Sequence, residues 1–156
     1  MALPTIVIDY SVPGYQGLLN NVWNHFIVND ADSGVSTYST NGGATGYRCS
    51  YNPGKPNRCA IGIFDTEKKL RWNDSVNALL GYDEWREVLQ SMFAEFKLDL
   101  TSGTDHNFIT DLQKAHDKSA VGSRFGQMKP KKTFKHELKV ALITLANNYD
   151  LTIPGN

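Results

Sequence analysis

Cysteine is scarce in this sequence, with two among 156 residues. In a reducing interior two such thiols are expected to be reduced and packed, and a catalytic thiol, a metal ligand or a disulfide remain as alternatives. Long apolar runs are absent. None approaches the roughly 18 residues of a membrane span, and the first residues have neither the basic region nor the apolar segment of a signal peptide. A cytoplasmic protein without membrane contact is therefore expected. Net charge is also lacking, since 16 Lys and Arg balance 16 Asp and Glu. There is no internal repeat and no proline-rich linker, so residues 1–156 read as a single globular domain, with 1–16 as an arm. The glycine cluster Asn41-Gly42-Gly43-Ala44-Thr45-Gly46 lacks the strand, turn, helix and lysine of a phosphate loop, and is read as a connector.

What is present is a balanced globular composition, 40% hydrophobic and 21% charged, in a chain long enough to bury a core without staples. Charge is distributed unevenly. Asp83 to Asp111 is mainly acidic, whereas Lys118, Arg124, Lys129, Lys131, Lys132, Lys135 and Lys139 follow. Arg124, Lys131, Lys132 and Lys135 are the candidate binding residues of that run. A basic run on a helix is more often a solvated face than a phosphate reader, so a protein partner is expected ahead of nucleic acid.

Helical spacing recurs through the chain. Leu18, Leu19, Val22, Trp23, Phe26 and Ile27 make one stripe from Gly17 to Val28, with Asn20, Asn21 and Asn24 outside it. His25, at its border, reads as a half-buried packing histidine. Asp74-Ser75 can cap a short helix through Leu80. Asp83 can cap a longer one to about Lys97, with Trp85, Val88, Leu89, Met92, Phe93 and Phe96 inward, and Asp105 a third, with Phe108, Ile109, Leu112 and Ala115 inward. The glycines of 118–130 predict a mobile basic loop before a last helix from Lys131 to about Asn148, buried through Phe134, Leu138, Ala141, Leu142 and Leu145. Thr5-Ile6-Val7-Ile8 is β-branched and suits an edge strand or arm.

Around Asn52-Pro53-Gly54 the chain should reverse. Cys49 and Cys59 lie symmetrically about Gly54, so paired arms would bring the sulfurs face to face, with Cα atoms within about 7 Å. The expected class is therefore α+β, about five helices packed around a small antiparallel hairpin or sheet.

The residue types for thiol chemistry are Cys59, His116 and Asp117, as nucleophile, base and orienting carboxylate. Neighbouring helical residues point about 100° apart, which predicts that Asp117 cannot orient His116 unless the helix has ended there. Productive chemistry also needs the sulfur within about 4 Å of the ring, beside an open cleft. Zinc held by Cys49, Cys59, His116 and His25 is disfavoured by the wide gap between the cysteines, and no metal or other cofactor is expected.

The set Cys49-Ser50-Tyr51, Arg58-Cys59-Ala60-Ile61-Gly62 and Leu112-Gln113-Lys114-Ala115-His116-Asp117 resembles small uncharacterised proteins of bacteria and their phages. The resemblance covers roughly Leu18 to Asp117. It departs at Asn52, where arginine is usual, at Asp65 directly after Ile63-Phe64, and in the basic C-terminal helix. It implies a shared fold and a shared site around Cys59 and His116, and transfers no reaction. A phage-encoded accessory or host-directed protein that binds a macromolecular partner in the host cytoplasm is the leading expectation. A Cys-His hydrolase or acyl transferase is the alternative.

Overall fold

A computed structural model describes residues 7–31, 35–39, 45–49, 59–67, 69–70, 79–124, 127–130 and 133–154. Helix α1, Gly14–Trp23, continues as a π-helical turn over Asn24–Val28. Two antiparallel strands follow, β1 Val35–Ser39 and β2 Thr45–Cys49. A 3-10 turn at Gly62–Phe64 precedes α2, Asp83–Phe93, which tightens into a second such turn at Ala94–Phe96. Helix α3 is Gly103–Ala120 and α4 is Phe134–Asn148, joined through the ribbon β3 Val121–Arg124 and β4 Gln127–Pro130.

The class is helical, which overturns the expected α+β arrangement of helices around a central hairpin. Every described core residue comes from a helix, a helical turn or a loop. The reason lies at Cys59. Its carbonyl accepts from the Ile63 N–H at 3.2 Å, so the chain curls into a helical turn instead of forming a hairpin arm. Ala60, Ile61, Ile63 and Phe64 are all buried, whereas a hairpin arm would expose alternate residues. Cys49 pairs in register with Val35, not with Cys59. The reversal at Gly54 and the cap at Asp74-Ser75 lie outside the described residues.

The expected apolar stripes are the buried ones. Leu18, Leu19, Val22 and Phe26 meet Leu89, Phe93 and Phe96, Phe108, Ile109 and Leu112, and Leu138, Leu142 and Leu145 in one cluster. Two boundaries differ. The 118–130 stretch is not a loop throughout: Ser119 and Ala120 are buried and the Ser119 hydroxyl donates to the Ala115 carbonyl at 2.7 Å, so α3 runs on and the ribbon follows. Asp105 sits inside α3 and not at its cap. Its carboxylate accepts from the Tyr15 hydroxyl and, at 2.7 Å, from the Asp99 N–H.

Side-chain amides do much of the work that sheet pairing does elsewhere. Asn21, expected outside, is buried; it accepts from the Asp9 N–H and donates to the Asp9 carbonyl, both at 2.8 Å. Gln16 holds Thr152 in the same two-way manner, and Gln90 donates to the Leu98 carbonyl while accepting from the Leu100 N–H. A carboxamide carries one donor face and one acceptor face, as a peptide group does. Extended segments are thereby satisfied against helices without a neighbouring strand.

Tyr15 stacks on Phe108 at 4.2 Å, and Tyr149 meets Phe108 edge-on at 4.9 Å. Burial, followed by the hydrogen bond to Asp111 and its charge, pushes the Tyr149 phenol up to about 12. Burial and Asp105 raise Tyr15 as well. A raised phenol stabilises the fold fully while unfolded tyrosine is still protonated, below about pH 10. That contribution is lost as pH rises through the folded values. The urea midpoint should therefore fall between pH 10 and about 12, and Tyr149→Phe should flatten that limb; an unchanged limb would exclude the tyrosine origin.

Candidate functional site

Helix α3 carries Leu112, Gln113, His116 and Asp117 on neighbouring turns, facing the Cys59–Phe64 segment and the end of α1. His116 is 0% exposed and Cys59 is 1% exposed. The His116 ring lies between Phe26, at 5.2 Å between centroids, and Phe134, at 5.4 Å. Its Nδ1 is 3.0 Å from Asp117 Oδ1. Asp117 thus orients His116 although α3 continues beyond both, contrary to the expectation from helical spacing. The Asp117 side chain, 44% exposed, reaches back along the helix flank to do so.

Gln113 is the hub that sequence reasoning missed as a functional position. Its Nε2 donates to Asp117 Oδ1 at 2.6 Å, and its Oε1 accepts from the Ile61 N–H at 2.9 Å. The same amide offsets part of the rise in the Cys59 thiol. One signal for this was available, since residues 113 and 117 are four apart on a helix and so share a face.

In the neutral imidazole, a carboxylate on Nδ1 places the proton on that nitrogen and makes Nε2 the acceptor. Nε2 is buried and, among the described residues, has no hydrogen-bond partner. Among the described residues it therefore makes no bond to Cys59, although thiol activation requires one. Burial pushes the Cys59 thiol far above its ordinary range, and the charge of Asp117 adds to the rise. The Gly62 N–H and the Gln113 amide oppose it only in part. The cluster therefore holds a neutral thiol, an oriented imidazole and a bridging amide, sealed together.

The other expected site residues are dispersed. His25 packs edge-on against Phe26 at 4.6 Å. Cys59 is a free thiol, and no group of three or more His, Cys, Asp or Glu converges on a metal position among the described residues. Arg124 ends β3, Lys131 and Lys132 lie outside the described residues, and Lys135 pairs with Asp30 at 3.2 Å. Lys139 stands 6.0 Å over the Trp23 ring. A separate surface cleft of about 360 Å³ opens beside α1, lined by Val7, Asp9, Asn20, Trp23, Asn24 and Val28 among others. Among the described residues no helix is long and apolar enough to cross a membrane.

No protein-family model matches the chain, and neither the curated proteins nor the solved structures hold a match to it.

Proposed function

We propose that this chain acts by binding a macromolecular partner, a protein ahead of a nucleic acid, and that the buried Cys59 and His116, with the half-exposed Asp117 at their rim, form a structural cluster, not a catalytic one. The observation that carries this reading is the closure of Cys59: its thiol is 1% exposed and its environment favours the protonated form. A nucleophile needs the thiolate and a route for substrate. The partner preference rests on the surface. Lys135 is paired with Asp30, which offsets one of the positive charges that phosphates would require. Val7, at 81% exposed, and Val28, at 64%, line one cleft instead. The Cys-x-Tyr, Cys-Ala-Ile-Gly and Leu-Gln-x-x-His-Asp resemblance supports an accessory or host-directed role for a phage-encoded protein, working in the host cytoplasm.

The test is the alkylation rate of Cys59 near neutral pH in a Cys49→Ala variant, where it is the remaining thiol. Modification should be at least about a hundredfold slower than that of free cysteine, the protection given by a local opening of about 3 kcal/mol, and should become normal in urea. Rapid alkylation of the folded protein would restore the thiol-enzyme reading.

A further inference from the structure

The segment before α1 has the side-chain alternation of a strand. Val7 and Asp9 face the cleft, whereas Ile8 packs against the core and the Tyr10 ring lies 5.2 Å from Phe96. In an extended chain the N–H and C=O of one residue point to one edge, and those of its neighbours to the other. Asp9 turns both groups to Asn21, at 2.8 Å each. Ile8 and Tyr10 therefore turn theirs the opposite way, where neither makes a backbone hydrogen bond to any described residue. Unpaired strand edges are templates for a further strand.

We propose that Val7–Tyr10 is an open β-edge that accepts one extended strand from a protein partner, paired through the backbones of Ile8 and Tyr10 and carrying a basic residue opposite Asp9. This rests on the binding reading above and names its site. The charge of Asp9 selects the occupant. In an antiparallel ladder bonded at Ile8 and Tyr10, Asp9 falls in a non-hydrogen-bonded pair, where opposing Cα atoms approach to about 4.5 Å. A second copy of this edge in that register would set Asp9 against Asp9, and like charges directly opposite are destabilising. A lysine or arginine there is favourable, and a β-branched neighbour suits the strand. Asn21 already fixes the inner edge, so the segment is ordered before the partner arrives and loses little freedom on pairing.

The probe is the acetylated, amidated peptide Thr-Val-Lys-Val-Thr, titrated to millimolar concentration into the isotope-labelled full chain and followed by amide chemical shifts and hydrogen exchange. Shifts should centre on Ile8 and Tyr10, and exchange of both amides should slow. N-methylation of the two valines removes the donors facing the edge and should weaken binding at least about tenfold; N-methylation of the lysine, whose N–H faces away, should not. Asp9→Asn should weaken the lysine peptide about two- to fivefold. The edge is excluded by indifference to valine methylation, by shifts centred elsewhere, or by no shift at Ile8 and Tyr10. Those outcomes exclude this edge as the binding site and leave the structural reading of Cys59 untouched, because the alkylation rate decides that separately.

Discussion

Phe26→Ala should destabilise the protein by about 3–5 kcal/mol, the range for deleting a fully buried phenylalanine. Phe26 is 0% exposed and packs against the His116 ring at 5.2 Å and against the Phe134 ring at 5.6 Å. It also sits in the π-helical turn, where the Asn29 N–H reaches the Asn24 carbonyl five residues back. An alanine would leave a cavity beside the His116 and Phe134 rings, which α3 and α4 hold in place. At about 2–4 °C per kcal/mol for a domain of this size, the melting temperature should drop by roughly 10 °C or more. Phe26→Leu keeps most of the volume and should cost less than about 2 kcal/mol. Urea unfolding of both variants checks this, and a loss below about 1 kcal/mol for alanine would mean that the ring is not the wedge between α1, α3 and α4.

Gly17→Ala should cost about 2 kcal/mol even though alanine is the better helix former. A Cβ on Gly17 would stand 1.9 Å from the Val12 carbonyl oxygen and 2.9 Å from the Phe96 ring. Phe96 can shift. The carbonyl cannot, because Val12 lies between the segment pinned by Asn21 and the start of α1. Overpacking against backbone typically costs about 1–3 kcal/mol and sometimes more, and the helix-propensity gain of about 1 kcal/mol offsets only part of it. The decisive readout is local: amide exchange at Asp9 should accelerate along with the loss in stability. A neutral or stabilised variant would show that the close approach of Val12 is not required.

Helical elements were legible wherever apolar residues recur at a period near 3.6. Leu89, Phe93 and Phe96, or Phe134, Leu138, Leu142 and Leu145, name their buried faces without a structure, because burial of a stripe is a property of one helix. The misreadings share a different cause. Asn21 is expected outside and Gln113 has no expected role, yet each is buried because a segment distant in sequence offers backbone groups for its amide. The turn at Asn52-Pro53-Gly54 suggested an antiparallel pair, but the unbroken apolar run Ala60–Phe64 gains more by entering the core on all sides than by alternating.

The sequence alone determined which stripes would be buried, where α1, α2 and α4 would lie to within a few residues, and that no described helix would be apolar enough for a membrane. It also named Cys59, His116 and Asp117 as residue types that could work together. Only the tertiary structure decided how they are placed and solvated. Whether a thiol is a nucleophile depends on its solvation and on which nitrogen faces it, and both are set by Phe26, Phe134, Gln113 and Ile61, which come from elements far apart along the chain. Desolvation and hydrogen bonding act through space, so a cysteine and a histidine that would react in an open cleft are here closed off from solvent, with Asp117 at the rim.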